Sequence, residues 1–425
     1  MREPLERCLG NVSADVRAIL EACLSDATLS VEDGVRLSAA RGHDLHALCL
    51  VADEMRRRQV GDSVSYVVNR NINFTNVCIK SCKFCAFARG VRSEQGYFLP
   101  QDEIARRVRQ AVDMGATEVC LQAGLSPNLS GNSYIELCRT VKEAAPEVHI
   151  HAFSPEEVKF GAALQRVPVR EYLQQLKEAG LGSLPGTSAE ILDDVLRKDI
   201  AATRITTSEW IEVIRSAHEL GIPSTSTMMF GHVESVEHRM RHMDLLRRLQ
   251  RETGGFTEFV PLSFVHEESP LFVKSEVPGV RPGPSGDDVI RLYAIARLML
   301  GHDIPNLQAS WVKEGLRMAQ RLLSSGVNDL GGTLMNESIS TSAGARHGQL
   351  LTPATLRALI RDAGRVPVQR STAYQSIRIF GPDAANDPIE PLDEIEDTDA
   401  VFGSYEMLTQ DERFRYEPRS PRVLG

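Results

Sequence analysis

The sequence has no apolar run approaching the eighteen or so residues that cross a bilayer. Its N-terminus, MREPLERCLGNVSADVRAILEACL, is charged throughout and has no apolar signal core. Neither a membrane span nor a secretory leader is expected, and a soluble, cytoplasmic protein is. Basic excess is also missing: 48 Lys and Arg stand against 57 Asp and Glu, a net charge of -9. Polyanions are bound by basic surfaces that release counterions, so no nucleic acid partner is expected. Cysteine is sparse, with eight in 425 residues, too few for a disulfide scaffold in a chain this long. Five of the eight are scattered. Of these, Cys120 lies in the apolar stretch EVCLQAG and Cys138 at helical spacing in YIELCRTV, both positions for small buried hydrophobes.

What is present is rhythm. Residues 1–60 read as helices, with Val16, Ile19, Leu20 and Cys23 on one stripe and Leu45, Leu48, Val51 and Met55 on another. Ser30 with Asp33 reads as a capping box between them. From Tyr66, short strand-like runs alternate with amphipathic helices at the spacing of a βα unit: SYVVNRNINF, EVCLQA, VHIHAFS, GLGSLPG, PSTSTMMFG, FTEFVPLSF, IPNLQASW and VNDLGGTL. Helices are expected over 101–114, 134–144, 169–178, 208–220, 236–251 and 286–300. Eight alternations predict an α/β fold, a closed or nearly closed (β/α)8 barrel over 61–366, with its chemistry on the loops after the strands. The remainder, 367–425, contains GPDAANDPIEPLDEIEDTDA, which is acidic and Pro-rich and reads as a solvated linker or tail.

The chemistry concentrates in Asn76-Val-Cys-Ile-Lys-Ser-Cys-Lys-Phe-Cys, a C-x3-C-x2-C loop directly after the first strand. Cys78, Cys82 and Cys85 can each bind one iron of a [4Fe-4S] cubane and leave the fourth iron without a protein ligand. A structural zinc site is the alternative, but it takes four ligands in two pairs, and no second Cys or His pair has that spacing. An electron-carrying iron–sulfur protein is another; such carriers complete the cluster with a fourth protein ligand. His151, His232 and His266 stand at strand ends and suit proton transfer near neutral pH, although a single such histidine is often structural. Glu258 and Ser263 are read as bordering the end of the sixth strand and are candidates for hydrogen bonds to substrate.

With an aromatic residue, Phe84, before its last cysteine, the loop resembles that of the radical S-adenosylmethionine (SAM) superfamily. The resemblance implies a SAM-binding barrel in which the methionine part of SAM chelates the open iron. It places Phe84 near the adenine, Gln122 and Gly124 of the LQAG turn at the SAM amino group, Glu190 at the ribose or amine, and Arg204 at the carboxylate. Glu190 is expected in a first helical turn, with Ser188 or Thr187 as the helix cap; a first-turn glutamate is also favoured by the helix dipole alone.

GTSAEIL, STMMFGHVES, TGGFTEFVPLSFVHEESPLF, QASWVKEGLRMAQ and NDLGGTLMNESIS extend the likeness, up to about Pro367, to the CofH-type half of FO synthase. That family implies L-tyrosine and 5-amino-6-(D-ribitylamino)uracil as substrates in deazaflavin coenzyme biosynthesis. The tyrosine side chain is transferred as a hydroxybenzyl group and 2-iminoacetate is released. It also implies an electron donor and, because this chain carries one cluster motif, a separate ring-closing subunit of the CofG type. The menaquinone-pathway radical SAM enzymes, aminofutalosine synthase and dehypoxanthine futalosine cyclase, share the cluster loop and the GHVE turn. FTEFVPLSFVH and GGTLMNESIS fit the CofH type better.

Overall fold

The computed structural model describes residues 2–418. Its strands are β1 (Ser63–Val67), β2 (Asn69–Ile72), β3 (Glu118–Leu121), β4 (His149–Ala152), β5 (Ser224–Phe230), β6 (Phe256–Ser263), β7 (Asp329–Gly332), β8 (Val366–Arg370) and β9 (Ser376–Ile379). β2, β3 and β4 pair in parallel, as do β5 with β6 and β7 with β1. Two of the expected strands shrink to single-residue bridges. His151 pairs with Ser183 and Leu184 with Ser224; Phe259 pairs with Leu307 and Gln308 with Asp329. A last bridge, Arg70 to Met335, closes the ring. The barrel therefore has eight positions, taken in order by β1–β2, β3, β4, 183–184, β5, β6, 307–308 and β7. The fourth position is short because its sequence, GLGSLPG, resists regular pairing. At Gly186 the chains approach so closely that a Cβ would fall 2.5 Å from the Thr225 carbonyl oxygen.

The outer helices follow the amphipathic patterns. Gln101–Asp113, Ser133–Ala144, Val169–Glu178, Thr207–Glu219, Val236–Thr253 and Gly286–Leu300 lie within two residues of expectation. Three further helices of eight residues or more, Pro155–Gln165, Asp194–Ala201 and Pro353–Asp362, escaped the periodicity reading. At the N-terminus Ser30 accepts from the Asp33 amide as its cap. Helix Gly42–Val60 buries Leu48, Val51 and Met55 and packs on Gly286–Leu300. No helix among the described residues is long and apolar enough to cross a membrane.

The C-terminal segment differs from expectation. A boundary after residue 366 falls inside β8, which lies parallel to β1 and antiparallel to β9. The acidic stretch is docked rather than solvated. Asp387, Glu390 and Asp393 converge at 2.9, 2.8 and 3.3 Å on the guanidinium of Arg357, whose side chain is 2% exposed. Leu392, Phe402, Tyr405 and Leu408 join the core. The segment then reaches the cluster loop. Tyr405 packs on Phe87 with ring centroids 5.6 Å apart, and its hydroxyl accepts from Asn76 Nδ2 at 3.4 Å.

Candidate functional site

The loops after the strands enclose a cavity of about 380 Å³, lined by all three loop cysteines together with Phe84, Gln122, Gly124, Glu190 and Arg204. The expected ligand and cofactor residues thus meet on one surface. The cysteine loop is pinned from both sides. The Cys78 amide donates to Arg89 O at 3.0 Å, Ile79 to Leu125 O at 3.0 Å, and Lys83 to Ile200 O at 2.8 Å. Gly124 presses against its base: a Cβ there would lie 2.4 Å from Val77 O and 3.1 Å from Cys78 Cβ. Only glycine admits this approach.

Burial pushes the Cys82 thiol up to about 12 and raises Cys85 as well. These groups become thiolates when a metal's charge displaces the proton. Donors already face the sulfurs: the Lys80 amide lies 3.4 Å from Cys78 Sγ, and an Arg204 nitrogen lies 3.8 Å from Cys82 Sγ. A lone zinc needs donors at about 2.0–2.3 Å from a single point, whereas a cubane spreads three thiolates over three irons. The donor set and the Gly124 cradle fit the cubane.

Beside the cysteines runs a chain of alternating charge. Lys80 Nζ is 2.9 Å from Glu156, Glu156 is 3.3 Å from Arg204 Nε, and Arg204 is 3.0 Å from Glu190. Arg197 supports Glu190 from behind at 3.5 Å. Neighbouring carboxylates raise the pKa of Arg204 against the opposing effect of its burial, so it stays charged. The Arg204 guanidinium also lies 5.9 Å from the Phe84 ring centroid. Gln122 donates to Thr187 Oγ1 at 3.0 Å.

Glu190 is not in a helical turn. It sits before the helix in a loop with φ +41°, near Ser188 at φ +66°, and the next helix is capped by Asp193. Neither Ser188 nor Thr187 caps it. These two left-handed residues give a strained turn that aims the Glu190 carboxylate at Arg204.

Of the five groups expected to move protons or touch substrate, four lie outside this cavity. His151 is buried inside the barrel with Nδ1 2.7 Å from Ser183 Oγ, and desolvation lowers its pKa to about 4. His232 is buried beside Glu234 at 3.4 Å, with Nε2 3.1 Å from Met229 O. Glu234 is held in turn by Arg239 and Arg281, which makes this a structural cluster. His266 opens onto a neighbouring cleft with Pro282 and His347. Glu258 lies near the start of β6, bonded to Gln308 and Tyr374. Ser263, at the end of the same strand, does line the cavity.

Sequence reasoning missed Lys80, Glu156, Glu157 and Lys313, all of which line the cavity. One signal was available: Ser154 and Glu157 form a capping box at the start of helix Pro155–Gln165. The Glu157 carboxylate also accepts from the Ala123 amide at 3.1 Å, and burial raises its pKa to about 7.

Known proteins resemble this chain over most of its length. A model of the radical SAM superfamily matches residues 72–246, and one of the CofH/MqnC C-terminal region matches 253–381. The chain is 46% identical over 367 residues to the 5-amino-6-(D-ribitylamino)uracil–L-tyrosine 4-hydroxyphenyl transferase of Methanothermobacter thermautotrophicus, covering 86% of this chain and 99% of that one. It is 48% identical over 364 residues to the FO synthase of Streptomyces coelicolor, covering 85% of this chain but 42% of that protein. The crystal structure of methylornithine synthase (PylB) superposes with a TM-score of 0.63 at 19% identity, covering 80% of this chain and 95% of that one, which shows a shared fold.

Proposed function

The chain belongs to the radical SAM superfamily and, within it, to the family of 5-amino-6-(D-ribitylamino)uracil–L-tyrosine 4-hydroxyphenyl transferases, and on that premise we propose that it performs this transfer in FO biosynthesis. The observation that carries the reading is the convergence of Cys78, Cys82 and Cys85 with Glu190 and Arg204 on one cavity. A [4Fe-4S] cluster on the three cysteines would supply the electron that cleaves SAM, and SAM the 5'-deoxyadenosyl radical that takes hydrogen from tyrosine.

The chain's own residues then bind and orient. Gln122 and Gly124 offer the SAM amino group a polar side chain and an open stretch of backbone. Glu190 and Arg204 present a fixed carboxylate and guanidinium to the polar groups of SAM, and Phe84 gives the adenine a flat apolar face. Leu262, Val312 and Leu334 add apolar surface to the cavity against which a phenol ring can pack.

Eight free cysteines and an oxygen-sensitive cluster suit a reducing compartment, which supports a cytoplasmic location. An external electron donor is required. Completing FO also calls for a ring-closing activity of the CofG type, and FO synthase relatives extend to more than twice the aligned length. The test is SAM cleavage by the anaerobically reconstituted protein. Tyrosine should stimulate 5'-deoxyadenosine formation; indifference to tyrosine would overturn the reading.

A further inference from the structure

We propose that Lys313 holds the carboxylate of the amino-acid substrate; this rests on the function proposed above and names the group that recognises tyrosine as an amino acid. Lys313 lies in the helical turn Trp311–Glu314, after the seventh barrel position, and lines the central cavity. The turn is rigid. Trp311 Nε1 donates to Gly332 O at 2.9 Å, the Lys313 amide to Ser310 O at 3.0 Å, and Gly315 ends the turn at φ +77°.

Among the described residues the Lys313 ammonium has no hydrogen-bond or ion-pair partner, whereas the cavity's other basic groups are paired: Lys80 with Glu156, and Arg204 with Glu156 and Glu190. The carboxylates nearest to it are engaged elsewhere. Glu337 accepts the amides of Ile339, Ser340 and Thr341 at 3.0–3.3 Å, and Glu314 accepts from Ser263 Oγ at 2.6 Å. Burial lowers the Lys313 pKa although Glu337 and Glu314 pull the other way, so the ammonium is only partly compensated, and that is costly. An incoming anion relieves that cost.

Two ligands of the proposed reaction carry a carboxylate, SAM and tyrosine, and the ribitylaminouracil carries none. The cysteines, Gln122, Glu156 and Arg204 come from loops after the first four barrel positions, where a fixed guanidinium already serves the SAM side. Lys313 comes from the other arc, between Ser263 after the sixth position and Glu337 after the eighth. A carboxylate fixed there anchors the tyrosine α-carbon and leaves the amine and the Cα–Cβ bond free to face the rest of the cavity.

The test compares tyrosine with tyramine, which lacks only the carboxylate. Equilibrium binding of each to the reconstituted, SAM-loaded protein is measured for wild type, Lys313→Met and Lys313→Arg, with SAM affinity and iron content recorded in parallel. Wild type should prefer tyrosine. Lys313→Met should lose roughly 10- to 100-fold in tyrosine affinity with tyramine and SAM binding unchanged, and Lys313→Arg should regain part of it. A Lys313→Met protein that keeps the wild-type preference, loses SAM affinity instead, or loses only kcat overturns the assignment while leaving tyrosine turnover intact as the function. Wild type that does not respond to tyrosine overturns both.

Discussion

The phenol of Tyr374 donates to the carboxylate of Glu258, tying the segment after β8 to β6, the sixth strand of the barrel wall. Nearby, Arg370 gives both arms of its guanidinium to Asp329, at 2.6 and 3.0 Å, and lies 3.5 Å from Glu258. One cation faces two buried carboxyls. Burial then pushes Glu258 up to about 7. Below the ordinary value of 4.5 both folded and unfolded chains hold this proton. Between there and about 7 only the folded chain does, so its contribution to stability is lost as pH rises through that window. Glu258→Gln should remove this part of the pH dependence, on the order of 3 kcal/mol between pH 4 and 8. Denaturant titrations of the two proteins across that range measure it. SAM cleavage by the variant should stay within a few-fold of wild type, because Glu258 does not line the cavity; a hundredfold loss in a folded variant would restore it as a catalytic group.

Deletion of residues 383–425 should be strongly destabilising, in contrast to what an acidic, Pro-rich stretch suggests. It strips three carboxylates from buried Arg357 and removes Tyr405 from Phe87. It also uncovers the core surface beneath Leu392, Phe402, Tyr405 and Leu408, and each large apolar side chain lost from a core costs about 2–5 kcal/mol. Thermal unfolding of the truncated protein should show a clearly lower midpoint, and its iron content after reconstitution should fall because Tyr405 braces the cluster loop. An unchanged midpoint would show that the docked segment contributes little.

Substituting Cys78, Cys82 or Cys85 by Ala should abolish SAM cleavage, and Cys138→Ala, in the buried face of helix Ser133–Ala144, should not. Gly124→Ala offers a finer probe, since its methyl would collide with Val77 O and displace the cluster loop. Iron and sulfide analysis should give about four of each per wild-type chain, and less in Gly124→Ala. Wild-type iron content and SAM cleavage in Gly124→Ala would mean that the loop gives way freely.

Arg204→Met should weaken SAM binding by at least about tenfold, with Arg204→Lys recovering only part, because an ammonium cannot reproduce the fork that spans Glu156 and Glu190. Equilibrium dialysis with labelled SAM checks this. Wild-type affinity in Arg204→Met would remove Arg204 from the SAM side of the cavity.

Legibility in the sequence followed the range of the interaction. The cysteine loop is readable because its donors lie within eight positions, and the barrel because each βα unit repeats locally. Glu190 was found by its place after a strand, but its left-handed loop was not, since nothing in GTSAEIL marks φ +41° at a glutamate. Lys80 and Glu156 were overlooked because they acquire meaning only as a pair joined across the cavity. The histidines were read at strand ends without their partners, which only the fold supplies: His232 lies against Glu234 and His151 against Ser183. The tail misled for the same reason. Its carboxylates look solvated until Arg357, outside the stretch, is brought against them.

The most direct measurement of the central claim is the mass of the product. Anaerobically reconstituted protein, given SAM, a reductant, L-tyrosine and 5-amino-6-(D-ribitylamino)uracil, should release 5'-deoxyadenosine and methionine. A coupled species heavier than the uracil substrate by the hydroxybenzyl group should appear, along with 2-iminoacetate. SAM cleavage without that species, and turnover instead on a futalosine-type substrate, would contradict the account and move the chain to the menaquinone-pathway enzymes.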